Sequence, residues 1–316
     1  MCMHTNVDEQ NRLDHGRFLR TRSMNNNKRD ALSAPTRDGR NDRPGRLTPN
    51  ANLLIQIPAQ ALRPFVKRFV IVEFPADRKL KLLPDTSFVA EFRFRGLALD
   101  GPTNLPGAVI SGLWDTTRTR IYMGGSAILL AVFTEIGAIA FLRKPLDTLV
   151  NTTTAMENVL YRASELSLVE EQLAAAKDHA RRVQIAENFL LEHIHDIKLD
   201  PLVSAAVASI EETQATIRIE ELARRAGLSQ SALERRFRRN VGTSPKQLES
   251  VFRLKNAIRL RGSGHDFTSI AHSAGYSDQS HFINNFKRVT GVAPSAFFEQ
   301  SALCNGAEFL QVAFAT

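Results

Sequence analysis

The last hundred residues carry one pattern twice, and this repeat limits the fold more than any other feature of the chain. The first copy runs Glu221-Leu222-Ala223-Arg224-Arg225-Ala226-Gly227-Leu228-Ser229, followed by Leu233, Phe237, Gly242 and Pro245. The second runs Ser269-Ile270-Ala271-His272-Ser273-Ala274-Gly275-Tyr276-Ser277, followed by Phe282, Phe286, Gly291 and Pro294. The offset is 48 residues up to the turn and 49 after it, a single-residue insertion. Ala223 and Ala271 are small where two helices must cross closely. Gly227 and Gly275 can take the left-handed conformation that ends a helix at little cost. Ser229 can cap the helix that follows, as can Ser277 or Asp278 in the second copy. Leu233 with Phe237, and Phe282 with Phe286, sit one turn apart and form a buried stripe. The pattern predicts helix, tight glycine turn, helix, the unit whose second helix enters a major groove of DNA.

Charge is concentrated in the same region. The net charge is +8, but residues 217–300 alone hold 14 Lys/Arg against 7 Asp/Glu. Residues 51–216 hold 17 against 19 and residues 1–50 hold 10 against 6. A basic segment beside a nearly neutral one is the electrostatic footprint of a nucleic-acid binder, although charge alone fits a solvated basic face equally well.

With Leu233 and Phe237 inward, helical geometry turns Gln230, Ser231, Glu234, Arg235 and Arg238 outward. Adding 49 gives Gln279, Ser280, Ile283, Asn284 and Lys287 in the second copy. Arg235 is the leading candidate for base readout, because its planar fork can bond O6 and N7 of guanine together. An amide at Asn284 suits adenine, and Ile283 suits a thymine methyl group. Arg238, Arg239, Lys287 and Arg288 are expected on phosphates, which give affinity and register without sequence information. For each of these side chains a solvated charge or dipole is the alternative role.

The tract 201–299 resembles the C-terminal domain of the AraC/XylS-type transcription regulators. The second copy carries the likeness most closely, in Ile270-Ala271, Gly275-Tyr276-Ser277-Asp278-Gln279-Ser280-His281-Phe282, Phe286-Lys287-Arg288, Gly291 and Pro294. The resemblance implies seven helices, with two helix-turn-helix subdomains joined by a linker helix at about 245–261. It places base-reading residues at the outward positions named above and adds His281. Asn284 departs from the arginine the family often has there.

Upstream, the pattern turns β-like. Phe88, Ala90, Phe92 and Phe94 alternate with Val89, Glu91, Arg93 and Arg95, the period of a strand with one buried face. Residues 65–74 and 118–123 read as further strands, and the apolar run 127–133 as a central one. Gly101-Pro102 and Pro106-Gly107 mark turns, and 135–142 reads as a short helix. Residues 155–195 are helical by composition. There Leu166, Val169, Leu173, Ala176, Ala180 and Val183 form a narrow seam suited either to dimerisation or to packing on the same chain. The expected fold is an α+β N-terminal domain plus an all-α C-terminal domain with two tandem helix-turn-helix subdomains joined by a linker helix. The expected divisions are a disordered basic tail at 1–50, a β-containing sensory or regulatory domain at 51–150, a helical connector at 151–200, the DNA-binding domain at 201–300 and a tail at 301–316. The tail composition is too polar to bury a core, and Met24 offers an alternative initiator.

Other classes find less support. No Gly-x-Ser-x-Gly elbow occurs, and Gly124-Gly125-Ser126 lacks the lysine and spacing of a P-loop. His193 and His195 point apart on a helix and read as a solvated helix end, not a metal pair. Cys2 and Cys304 suit a reducing compartment, and no apolar stretch approaches the roughly 20 residues of a membrane span. The expectation is a cytoplasmic DNA-binding regulator without catalytic residues, metal or cofactor. Double-stranded DNA is its expected partner, with RNA polymerase, a small-molecule effector and a second copy of the chain as further candidates. Phe92, Trp114 and Tyr122 could line an effector pocket or belong to the core. A nonspecific architectural binder, or an enzymatic N-terminal domain fused to a DNA-binding module, is the alternative.

Overall fold

Two stacked sheets occupy residues 52–155 of the computed structural model, which describes residues 52–161, 164–195, 197–303 and 309–310. The expected tail at 1–50 lies outside the described residues, as do 304–308 and 311–316.

The strands are β1 Asn52–Gln56, β2 Val66–Phe74, β3 Arg78–Leu82, β4 Val89–Arg95, β5 Ala98–Asp100, β6 Thr103–Asn104, β7 Ala108–Ser111, β8 Arg118–Tyr122, β9 Ser126–Phe133 and β10 Thr153–Ala155. The larger sheet has the order β1-β2-β9-β4-β7-β10, antiparallel throughout. The smaller is β3-β8-β5-β6, with the two-residue β11 Phe309–Leu310 parallel to β3. All eight residues of β9 are buried, because the larger sheet is covered on both faces. One face meets the smaller sheet through Val70, Val72, Val109, Ile128 and Leu130, and the other meets helices through Phe69, Phe92, Leu129 and Ala131.

That double cover corrects the one-faced reading of β4. Glu91 is buried between the sheets, where Arg120 Nη1 donates to its Oε2 at 2.5 Å and the Tyr122 hydroxyl donates to the same atom at 3.0 Å. Burial and the Glu91 charge push the Tyr122 phenol up, which keeps it a donor. The three aromatics do not share a pocket. Phe92 lies edge-on to Phe189 among the helices, Tyr122 stacks on Phe74 between the sheets, and Trp114 borders a void of about 20 Å3 with Thr243, Gln247 and Leu248.

The connector also differs from its sequence pattern. It forms α1 Leu166–Ala175 and α2 His179–Glu192, broken at 176–178, where the Asp178 carboxylate accepts from Arg181 N at 2.8 Å and restarts the helix. Leu166, Val169, Leu173 and Val183 enter the core of their own chain, and Ala180 is exposed. The stretch 135–142 holds only a 3-10 turn at Ala138–Ala140. His193 is buried on Phe189 with Nδ1 at 2.7 Å from Phe189 O, and the His195 ring lies tilted against Tyr161 at 3.7 Å between centroids, so neither is a solvated helix end.

Among the described residues seven helices follow: α3 Pro201–Glu212, α4 Ile219–Arg225, α5 Gln230–Val241, α6 Pro245–Gly262, α7 Phe267–Ser273, α8 Gln279–Thr290 and α9 Pro294–Leu303. The last includes 301–303, which the sequence pattern had assigned to a tail. Leu233, Phe237, Val241 and Leu248 join the core under the larger sheet. A second core holds Leu254, Ala257 and Leu260 of α6 with Ile270, Phe282, Phe286 and Phe297. The linker helix thus belongs to both cores, its first half to one and its second half to the other. Among the described residues no helix is long and apolar enough to cross a membrane.

Candidate nucleic-acid interface

The two repeat copies fold as near-duplicates. α4 and α7 are each seven residues long and offset by 48, while α5 and α8 are each twelve and offset by 49. Leu228 N donates to Ala223 O at 2.9 Å, and Tyr276 N to Ala271 O at 2.9 Å, the bonds that close a helix on a left-handed residue. That residue is Gly227 at φ +63° and Gly275 at φ +76°, so the glycine is needed for its backbone. Ser229 accepts from Ala232 N at 3.2 Å and caps α5. In the second copy the cap is Asp278, accepting from His281 N at 2.7 Å, and Ser277 is the inserted residue. Its hydroxyl instead donates to Asp278 Oδ2 at 3.0 Å. Backbone and hydroxyl donors around the Asp278 carboxyl hold it below the usual carboxylate range.

Leu233 and Phe237 are fully buried, as are Phe282 and Phe286. The opposite face of α5 exposes Gln230, Ser231, Arg235, Arg238 and Arg239, with Glu234 half-buried. On α8, Gln279, Ser280, His281, Asn284, Lys287 and Arg288 are exposed. Ile283 is half-buried against the second core, which leaves part of its side chain outward. Gln279 accepts from Thr268 Oγ1 at 3.2 Å, and His281 Nδ1 lies 3.1 Å from Ser277 Oγ, so both also brace the turn.

Arg236, on the flank of α5, was not singled out by the repeat. Its Nη1 donates to Asp200 Oδ2 at 2.6 Å, and the other oxygen of Asp200 caps α3 through Leu202 N at 3.0 Å. Burial opposes this, yet the arginine and the two backbone donors hold the Asp200 carboxyl below its ordinary range. The pair ties α5 to α3. Three links join the sheets to the helical region. A Cβ at Gly242 would lie 3.1 Å from Leu146, so backbone and side chain pack closely there, Lys255 of α6 donates to Asp85 at 3.1 Å, and Thr117 N donates to Val289 O of α8 at 3.0 Å. Among the described residues no group of His, Cys, Asp and Glu could hold a metal ion.

Residues 222–300 match the family model described as a helix-turn-helix domain. The chain is 35% identical over 100 residues to an AraC-like transcription regulator of Streptomyces lividans, covering 31% of this chain and 33% of that one. It is 28% identical over 155 residues to the HTH-type transcriptional regulator MtrA of Neisseria gonorrhoeae, covering 49% and 47%. Among solved structures, the C-terminal domain of AraT, a response regulator from Geobacillus stearothermophilus, aligns with 33% of this chain and 88% of that one at 26% identity and a TM-score of 0.31. The matches thus span about a third to a half of the length of these two relatives.

Proposed function

We propose that the chain, whose residues 222–300 match a helix-turn-helix family model and which is similar over 100 residues to an AraC-like regulator, is a sequence-specific transcription regulator whose α5 and α8 enter neighbouring major-groove segments of one duplex. The observation that carries this reading is the duplicated geometry. Two capped twelve-residue helices, each anchored by a buried apolar stripe, turn polar and cationic faces outward at matching positions. Arg235 and Asn284 occupy the same place in the two copies. In this reading Arg235 takes a guanine and Asn284 an adenine, supported at the base edges by Gln230, Ser231, Glu234, Gln279, Ser280, His281 and the outer part of Ile283. Arg238, Arg239, Lys287 and Arg288 hold phosphates. Since the copies differ in sequence, one chain reads an asymmetric site.

The β-containing part, residues 51–150, serves as the sensory and regulatory unit, responding to a small-molecule effector or a partner. Its ties to α5, α6 and α8 give such a signal a path to both recognition helices. The proposed place of action is the cytoplasm, with RNA polymerase as a candidate partner.

Arg235→Ala tests the base-reading role. Binding to the selected site falls by roughly 1–3 kcal/mol, while binding to random duplex falls far less. An equal loss on both would make Arg235 a phosphate contact and would favour an architectural binder.

A further inference from the structure

Between the first turns of α6 and the flank of α8 lies an open groove of about 340 Å3. Lys246 and Ser250 line it from α6, and His281, Asn285 and Arg288 line it from α8. The carboxylate in its wall, Glu249, is already engaged by Arg253, which also donates to Ala215 O at 2.9 Å. Lys246 and Arg288 are exposed, and among the described residues neither has a carboxylate oxygen within 4.0 Å; Lys246 acts on Glu249 only at longer range, behind the closer Arg253. The groove therefore presents uncompensated positive charge together with the hydroxyl of Ser250.

Its position relative to the outward face of α8 follows from helical geometry. Residues 281, 285 and 288 lie at spacings of four and three and form one stripe. The stripe of 280, 284 and 287 lies about 100° around the helix from it, next to it on the surface. A duplex that takes α8 into its major groove must run a sugar-phosphate strand along each flank of that helix. On one flank the strand meets the 281/285/288 stripe and, across the groove, α6. Because α6 begins directly after α5, this is the flank toward the first recognition helix.

We propose that this groove seats the sugar-phosphate strand between the two half-sites, with Lys246 and Ser250 of the linker helix as phosphate contacts facing Arg288. The proposal rests on the DNA-reading role of α8 and assigns the linker helix a direct part in binding. An occupant with regular negative charge fits two cations and a hydroxyl spread along an open groove better than a single small anion does. These contacts carry no base information, so they add affinity and set the register between the half-sites.

The test is a salt titration of the full chain on its selected duplex and on random duplex. In Lys246→Ala the plot of log K against log salt becomes shallower by about 0.9, the value of one phosphate contact, and both duplexes lose affinity by the same factor. Ser250→Ala weakens binding less and leaves the slope unchanged. Lys144→Ala, which removes an exposed lysine on the β-containing part, matches wild type. A duplex with uncharged methylphosphonates between the half-sites weakens wild type by more than it weakens Lys246→Ala, which keeps only the Ser250 and Arg288 contacts to lose. An unchanged slope in Lys246→Ala, or a full additional loss with the methylphosphonate duplex, overturns the proposal. If wild type still prefers its selected duplex in that case, only the groove assignment falls. If wild type shows no preference at all, the DNA-reading role falls with it.

Discussion

Replacing Phe286 by alanine should unfold the second helix-turn-helix unit while the first stays folded. Phe286 is fully buried, and its ring lies 5.2 Å from Phe297, 5.6 Å from Phe282 and 5.7 Å from Phe298. Phe→Ala in such a site costs about 3–5 kcal/mol, because the neighbours cannot close the space left behind. The unit built on this core runs from the middle of α6 to α9. At ordinary stability per residue a unit of about 45 residues holds only about 2–7 kcal/mol. The substitution therefore removes about half of its local stability at the least favourable ends of these ranges and all of it over most of them. The first core runs from Leu62 through the larger sheet to Phe237 and Leu248, and it loses no contact in this variant. Hydrogen exchange read by peptide should show α7, α8 and α9 exchanging about a hundredfold or more faster, with β9 and α5 protected as before. If protection in β9 and α5 fell in step with α8, the two cores would be one cooperative unit. The Asp85–Lys255 and Thr117–Val289 links would then weld the two units together.

Other consequences concern how the β-containing part holds the helices. Burial raises the Asp85 carboxyl, but Lys255 and Lys67 outweigh it and the net shift is downward. With the folded value below the unfolded value of about 3.9, this contribution is complete above about pH 5 and fades as pH falls through 4 and below. A double-mutant cycle of Asp85→Asn and Lys255→Met at neutral pH should give a coupling of about 2 kcal/mol that vanishes in acid; zero coupling at pH 7 would deny the link. Gly242 sits at φ +88°, and a Cβ there would lie 3.1 Å from Leu146. Gly242→Ala should cost about 1–2 kcal/mol from the left-handed backbone alone, read as a lower unfolding midpoint, and a neutral effect would mean that the turn can relax.

Short-range chemistry is legible in the sequence. Gly227, Gly275, Gly242 and Gly291 mark helix ends because the conformation they adopt is local, and the outward faces of α5 and α8 follow from a period and two apolar anchors. The choice between Ser277 and Asp278 as cap was not readable, since either side chain could reach the same backbone donors. Pairings distant in sequence left no local trace. Glu91 meets Arg120 only because two sheets stack, and Asp200 meets Arg236 only because α3 packs beside α5. The seam at 166–183 left two roles open, and Leu166, Val169, Leu173 and Val183 enter the core of their own chain. Spacing alone cannot see that Asp178 starts a new helix, which turns Ala180 to solvent while Val183 stays in the core. Ile283 stood out as an outward residue, but the second core claims part of it.

Selection of bound duplexes from a random pool with the full chain tests the two-helix reading of DNA most directly. The predicted result is a two-part asymmetric motif whose halves lie about 10–10.5 base pairs apart, with a guanine in one half that Arg235→Ala no longer enriches. Sequences recovered without any shared motif, or a motif confined to a single half and insensitive to Arg235, would contradict it.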